Sequence, residues 1–71
     1  MNKKEKNFIV FCIEMYKVKK RKTGKEIYNL FNEYKVIDYL NNGYEMLHTQ
    51  GSEWLINDID EFLKIRGYTI K

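Results

Sequence analysis

Val36-Ile37-Asp38-Tyr39-Leu40-Asn41-Asn42-Gly43-Tyr44-Glu45-Met46-Leu47-His48 is the stretch on which the fold class turns. Asn41-Asn42-Gly43 between two apolar-rich runs is a hairpin signal, because tight hairpin turns need residues that tolerate positive φ. A strand over Val36 to Leu40, however, puts Asp38 on the same face as Val36 and Leu40, since strand side chains alternate with a period of two. Helical spacing instead gathers Val36, Leu40, Tyr44 and Leu47 on one stripe and sends Asp38, Asn42 and Glu45 elsewhere. Gly43 inside such a helix costs about 1 kcal/mol relative to alanine, an amount that packing can absorb. The helical reading is preferred, with a stop near Thr49-Gln50-Gly51, and it makes the chain all-α.

Working outward, Thr23-Gly24-Lys25-Glu26 spells a capping box, in which hydroxyl and carboxylate each take the other residue's backbone N–H. Ile27, Leu30, Phe31 and Tyr34 then mark one face of a second helix through about Lys35. A first helix is expected from about Glu5 to Lys20, where Phe8, Cys12 and Met15, with Ile9, Ile13 and Tyr16 beside them, form a broad apolar stripe. Lys17, Lys19, Lys20, Arg21 and Lys22 gather at its C-terminal end, where cations meet the helix dipole favourably.

The last helix has two available starts. Ser52 can cap it directly, carrying Trp54-Leu55-Ile56 inside. Alternatively Asp58-Ile59-Asp60-Glu61 is a box-like cap and acid-rich first turn, leaving residues 53–56 extended. Ile59, Phe62 and Leu63 are helical either way, and Gly67 suits the position just past the end. Tyr68-Thr69-Ile70 is β-prone and reads as a short extended tail. The expectation is one domain over residues 1–71, a compact bundle of four short helices, with room for extended segments near 53–56 and 68–70.

A chain of 71 residues has room for one core, and a domain this small buries only ~60% of the surface its unfolded chain exposes. Hydrophobic residues at 44% and aromatics at 15% exclude a disordered tail. Cys12 is the single cysteine, so an intramolecular disulfide is excluded and a cytoplasmic location is expected. Lys3, Lys4 and Lys6 precede an apolar run, but Phe8 to Ile13 is too short for a membrane span, and no small-residue cleavage site follows it.

Catalytic and metal chemistry find little to work with. One His and one Cys lie on different predicted helices, which is poor material for a metal cluster, and Asp58, Asp60 and Glu61 lack the glycine and downstream glutamate of a calcium loop. His48 is more naturally a partner for terminal helix carbonyls than a base, and Gly24-Lys25 lacks the first glycine of a phosphate-cradling loop. The expectation is a protein that is not an enzyme and takes no metal or cofactor.

Charge is distributed unevenly. Residues 1–26 carry nine Lys or Arg and three Glu, giving +6, whereas residues 27–71 carry four and seven, giving −3, in agreement with the net +3. Such a basic patch suits an acidic protein surface or a phosphate backbone. A helix-turn-helix DNA reader is disfavoured, because the third helix offers Asp38, Asn41, Asn42 and Glu45 and no basic side chain toward base edges. Trp54, Tyr39, Tyr44 and Tyr28 exceed what so small a core must bury, and Tyr and Trp are enriched at interface hot spots.

Phe8-Ile9-Val10-Phe11-Cys12-Ile13-Glu14-Met15-Tyr16, Thr23-Gly24-Lys25-Glu26-Ile27, Tyr44-Glu45-Met46-Leu47-His48-Thr49-Gln50-Gly51 and Asp58-Ile59-Asp60-Glu61-Phe62, in that order, resemble an uncharacterised bacterial family, domain of unknown function 3791. The resemblance covers nearly the whole chain, and Tyr-Glu-x-Leu-His-Thr-x-Gly is its most distinctive piece. It implies no activity. It does imply a small accessory protein, with an antitoxin-like role as partner of a co-encoded protein similar to ADP-ribosyltransferase toxins. The resemblance also favours helix over hairpin at Asn42-Gly43, where this chain departs from its relatives.

These readings lead to a protein-interaction module as the expected function, with a small basic nucleic-acid-binding domain as the alternative and a homodimer as a further option. The candidate partner-binding residues are Lys19, Lys20, Arg21, Lys22, Tyr44, His48, Gln50 and Trp54.

Overall fold

In the computed structural model, which describes residues 2–69, the chain forms α1 (Lys3–Lys20), α2 (Gly24–Glu33), α3 (Val36–Asn42), α4 (Tyr44–Leu47) and α5 (Ser52–Ile65). There is no strand among the described residues, so the chain is all-α and the hairpin reading of Asn41-Asn42-Gly43 is set aside. The helical stripe of that segment does what its spacing predicted: Val36, Leu40 and Leu47 are buried, and Tyr44 is half-buried against the core.

The expected third helix is nevertheless two helices, which makes five in place of four. Gly43 (φ −96°, ψ 10°) closes α3 and opens α4. Its N–H donates to the Tyr39 carbonyl at 3.0 Å, and its own carbonyl accepts from Leu47 N–H at 2.8 Å. A glycine is required here by close approach and not by φ, since a Cβ would sit 2.8 Å from Leu47 Cδ1 and 3.2 Å from the Tyr39 carbonyl oxygen. Gly43→Ala is therefore expected to destabilise the fold by about 1 kcal/mol, overpacking outweighing the better helix propensity of alanine. A urea unfolding midpoint at or above that of the parent chain would overturn this reading.

α1 starts two residues earlier than its apolar pattern suggested. Asn2 Oδ1 accepts from Glu5 N–H at 2.9 Å and Glu5 Oε1 accepts from Asn2 N–H at 3.0 Å, a capping box that extends the helix back to Lys3. The Thr23–Glu26 box forms as expected, with distances of 2.9 and 3.1 Å. α1 closes on Arg21, which adopts the left-handed conformation (φ 57°, ψ 47°) while Lys22 N–H reaches back to the Lys17 carbonyl at 2.9 Å. Glycine fits that position without strain, and a side chain there costs about 1–2 kcal/mol.

Of the two starts open to the last helix, the earlier is correct. Gly51 precedes it, Ser52 is its first residue, and it forms no side-chain cap bond. Residues 53–56 are therefore helical and not extended, and Leu55 and Ile56 are buried. Asp58 and Asp60 lie in mid-helix, which corrects their reading as an acid-rich first turn. At the far end Gly67 (φ +96°) lets Tyr68 N–H reach the Leu63 carbonyl at 2.9 Å, a left-handed stop of the kind expected. Tyr68 and Thr69 have no regular structure, and Ile70 lies outside the described residues.

α1 packs against α2, α3 and α5, and α2 against α3. The core is where they meet. α1 contributes Phe8, Ile9, Cys12 and Tyr16, and α2 contributes Ile27 and Phe31. α5 closes it with Leu55, Ile56, Ile59 and Leu63.

Candidate interaction surface

α1 is apolar on two sides and covered on one. Its inner side carries Phe8, Ile9, Cys12 and Tyr16, all buried, while Val10, Phe11 and Val18 are 51%, 49% and 72% exposed. α2 and α5 turn their buried apolar residues to the core and leave single large side chains exposed, Tyr28 on α2 and Trp54 and Ile65 on α5. In a globular protein an apolar stripe normally points inward only, so the second side of α1 stands out.

The basic end of α1 is partly taken up by the fold. Lys17 pairs with Glu14 at 3.1 Å, Lys19 with Glu53 at 3.7 Å and Lys20 with Asp60 at 2.9 Å. Arg21 and Lys22 are exposed and form no ion pair among the described residues. Lys19 is thus brought beside the first turn of α5, next in sequence to the half-exposed Trp54, whereas Lys20 is drawn to mid-helix.

Asp60 also accepts a hydrogen bond from the buried Tyr16 hydroxyl, and Asp58 accepts one from Tyr39 at 2.6 Å. Both contacts act on ionisation. Burial foremost, then the neighbouring carboxylate, pushes the Tyr39 hydroxyl from 10.0 to about 12 and the Tyr16 hydroxyl up as well, while burial alone pushes the Cys12 thiol from 9.0 to about 12. Each group prefers its neutral form when folded, so its contribution to stability is complete below its ordinary pKa and is lost as pH rises through the folded value. Stability is expected to be flat up to about pH 9 and to fall toward about pH 12. Urea midpoints across that range check this, and an unchanged midpoint at pH 11 would refute it.

The Leu47-to-Gly51 turn is organised by local bonds. His48 Nδ1 lies 2.7 Å from the Tyr44 carbonyl. A carbonyl only accepts, so Nδ1 carries the proton and Nε2 is left toward solvent. The His48 ring stacks on Tyr44 at 4.4 Å between centroids, and Tyr44 meets Phe8 of α1 edge-on at 5.6 Å. Gln50 is half-buried, its N–H bonded to the Leu47 carbonyl at 3.1 Å. Tyr44 and His48 therefore form one unit, anchored to α1, while Arg21 and Lys22 sit at the far end of that helix.

Phe11 and Val18 escaped the sequence reading, because Phe11 lies only three residues from Phe8 and spacing alone places it at the edge of the buried stripe. Tyr39 and Tyr44 pack partly on the core, and Tyr28 is 51% exposed. An open cleft of about 590 Å³ lies between α3 and the end of α5, where Tyr39 stacks on Phe62 and the Arg66 guanidinium covers the same ring at 4.6 Å. Among the described residues no cluster of three or more His, Cys, Asp or Glu is placed to hold a metal ion, and no helix is long and apolar enough to cross a membrane.

What these features define is a small all-helical domain whose buried polar contacts serve its own packing and whose longest helix keeps an apolar side uncovered. The chain belongs to the family described as protein of unknown function, DUF3791, whose model matches residues 7–66, from the first turns of α1 to the end of α5. No curated protein and no solved structure matches it.

Proposed function

We propose that this chain is a non-enzymatic protein-interaction module that works in the cytoplasm and holds a partner on the outer side of α1. The observation that supports this most is the exposure of Phe11 and Val18 on a helix whose opposite side already supplies the core. Large apolar side chains exposed on the same side of a helix mark interaction sites more often than scattered ones do. The Tyr44–His48 unit and Trp54 are the next candidates for contact.

The partner to try first is the product of the adjacent gene, in keeping with an accessory or antitoxin-like role. Co-expression of the two is expected to give a stable complex that co-purifies. Recovery of this chain alone would remove the support for that partner.

Nucleic-acid binding is the competing reading, favoured by the unpaired Arg21 and Lys22. The pairing of Lys17, Lys19 and Lys20 with carboxylates of the same chain weakens it. It predicts salt-sensitive retention on DNA or RNA that is lost in Arg21→Glu/Lys22→Glu.

A further inference from the structure

The outer side of α1 has a charge pattern as well as an apolar one. Lys4, Phe11 and Val18 follow one another at seven-residue spacing, which on an α-helix drifts by only ~20° per step and so forms a line nearly parallel to the axis. Asn7, Glu14 and Arg21 form the adjacent line. The apolar centre is thus bracketed by cations at both ends, Lys3 and Lys4 at the start and Arg21 at the close. Glu14 in the middle is neutralised by Lys17 at 3.1 Å.

All three of these cations go against local preference. Lys3 and Lys4 stand in the first turn, where the helix dipole disfavours positive charge. Arg21 holds a left-handed backbone position (φ 57°) that glycine would occupy without strain. Residues that break a local rule with no gain in packing are expected where function sets the choice.

The same pattern selects among occupants. A second copy of this chain laid along α1 meets repulsion in either direction: antiparallel pairing sets Lys3 and Lys4 against Arg21, and parallel pairing sets like against like. A phosphate backbone matches the ends but gains nothing from Phe11 and Val18. An amphipathic helix with acidic residues toward both ends matches both. The 18 residues of α1 offer about 27 Å of length at 1.5 Å per residue.

We infer that the outer side of α1 docks an acidic amphipathic helix of a partner protein, with the apolar stripe of that helix on Phe11 and Val18 and its carboxylates on Lys3, Lys4 and Arg21. This rests on the interaction function proposed above.

A displayed library of helical peptides about 18 residues long, with leucine fixed on one stripe and every other position varied between Glu and Lys, tests it when selected on the full chain. Enriched peptides are expected to carry Glu toward both ends and to bind Phe11→Asp/Val18→Asp at least about tenfold more weakly. Both residues are exposed, so the double variant is expected to keep the parent's circular dichroism and melting temperature, which verifies that the fold is intact. Enrichment of Lys, absence of a charge preference, or equal binding to the double variant would each overturn the inference while leaving an interaction module that uses another surface. A concentration-dependent dimer in sedimentation that the double variant abolishes would assign the face to a second copy and overturn it too. Failure of any peptide to enrich over an unrelated bait would count against both the inference and the interaction function.

Discussion

Phe31→Ala is expected to lower the unfolding free energy by about 3–5 kcal/mol. Phe31 has no exposed surface, and its ring lies 5.3 Å from that of Tyr16, joining the last turn of α2 to the C-terminal half of α1. Truncation removes the ring from a site walled by α1 and α2, whose backbones cannot close the gap without breaking other contacts. A chain of this length commands a total stability of roughly 4–11 kcal/mol, so the loss takes at least about a quarter of it and can take all of it. Far-UV circular dichroism against urea is expected to show either a much lower midpoint or no native baseline. Phe11→Ala is the matched control: the same chemical change at a half-exposed position is expected to alter stability by less than about 0.5 kcal/mol. Equal effects for the two variants would mean that the inner and outer sides of α1 have been assigned wrongly.

That pair of phenylalanines also shows how much the sequence disclosed. Periodicity assigned Phe8, Cys12 and Tyr16 to the buried side of α1, and the capping box at Thr23-Gly24-Lys25-Glu26 marked the start of α2, because both signals are local and each residue acts on its own helix. Asn2 carries the same kind of signal with Glu5, but it precedes the apolar run and passed unread. The split at Gly43 was not legible, since the penalty of glycine in a helix looks the same whether the helix continues or bends. What decides it is the packing of Leu47 against the Tyr39–Gly43 backbone. The start of α5 was open for a related reason: Ser52 and Asp58 are both credible caps, and only burial of Leu55 and Ile56 chooses between them.

The candidate site was legible in its charges and less so in their use. Counting cations marked the end of α1, yet nothing along the chain shows that Lys19 meets Glu53 or that Lys20 meets Asp60, because those partners lie 34 and 40 residues away. Long-range pairing of this kind is set by how α5 lies on α1. It reduces the basic run to Arg21 and Lys22, and it turns the eye from the lysines to Phe11 and Val18. Tyr44 and His48, singled out for the polar turn they belong to, prove to be held by each other and by Phe8.

Asp60→Ala is the second change expected to be costly, at about 2 kcal/mol. Asp60 takes the Tyr16 hydroxyl and the Lys20 ammonium at once, tying the C-terminal half of α1 to the middle of α5. Tyr16 is only 1% exposed, so removing the carboxylate takes away the acceptor of a buried hydroxyl, and that lost partner sets most of the cost. The ion pair adds less, because the Lys20 and Asp60 side chains keep 22% and 26% of their surface in solvent, where screening is effective. Tyr16→Phe removes the hydroxyl, so Tyr16→Phe/Asp60→Ala is expected to be less destabilised than the sum of the single variants, with a coupling of about 1 kcal/mol or more. It is also expected to lose stability less steeply above pH 10, since the tyrosine that burial and Asp60 keep neutral is gone. Strict additivity in urea unfolding would show that the Tyr16–Asp60 hydrogen bond does not join the two helices energetically. The cost of Asp60→Ala would then reside in Lys20, and salt would reveal it by erasing the difference from the parent chain.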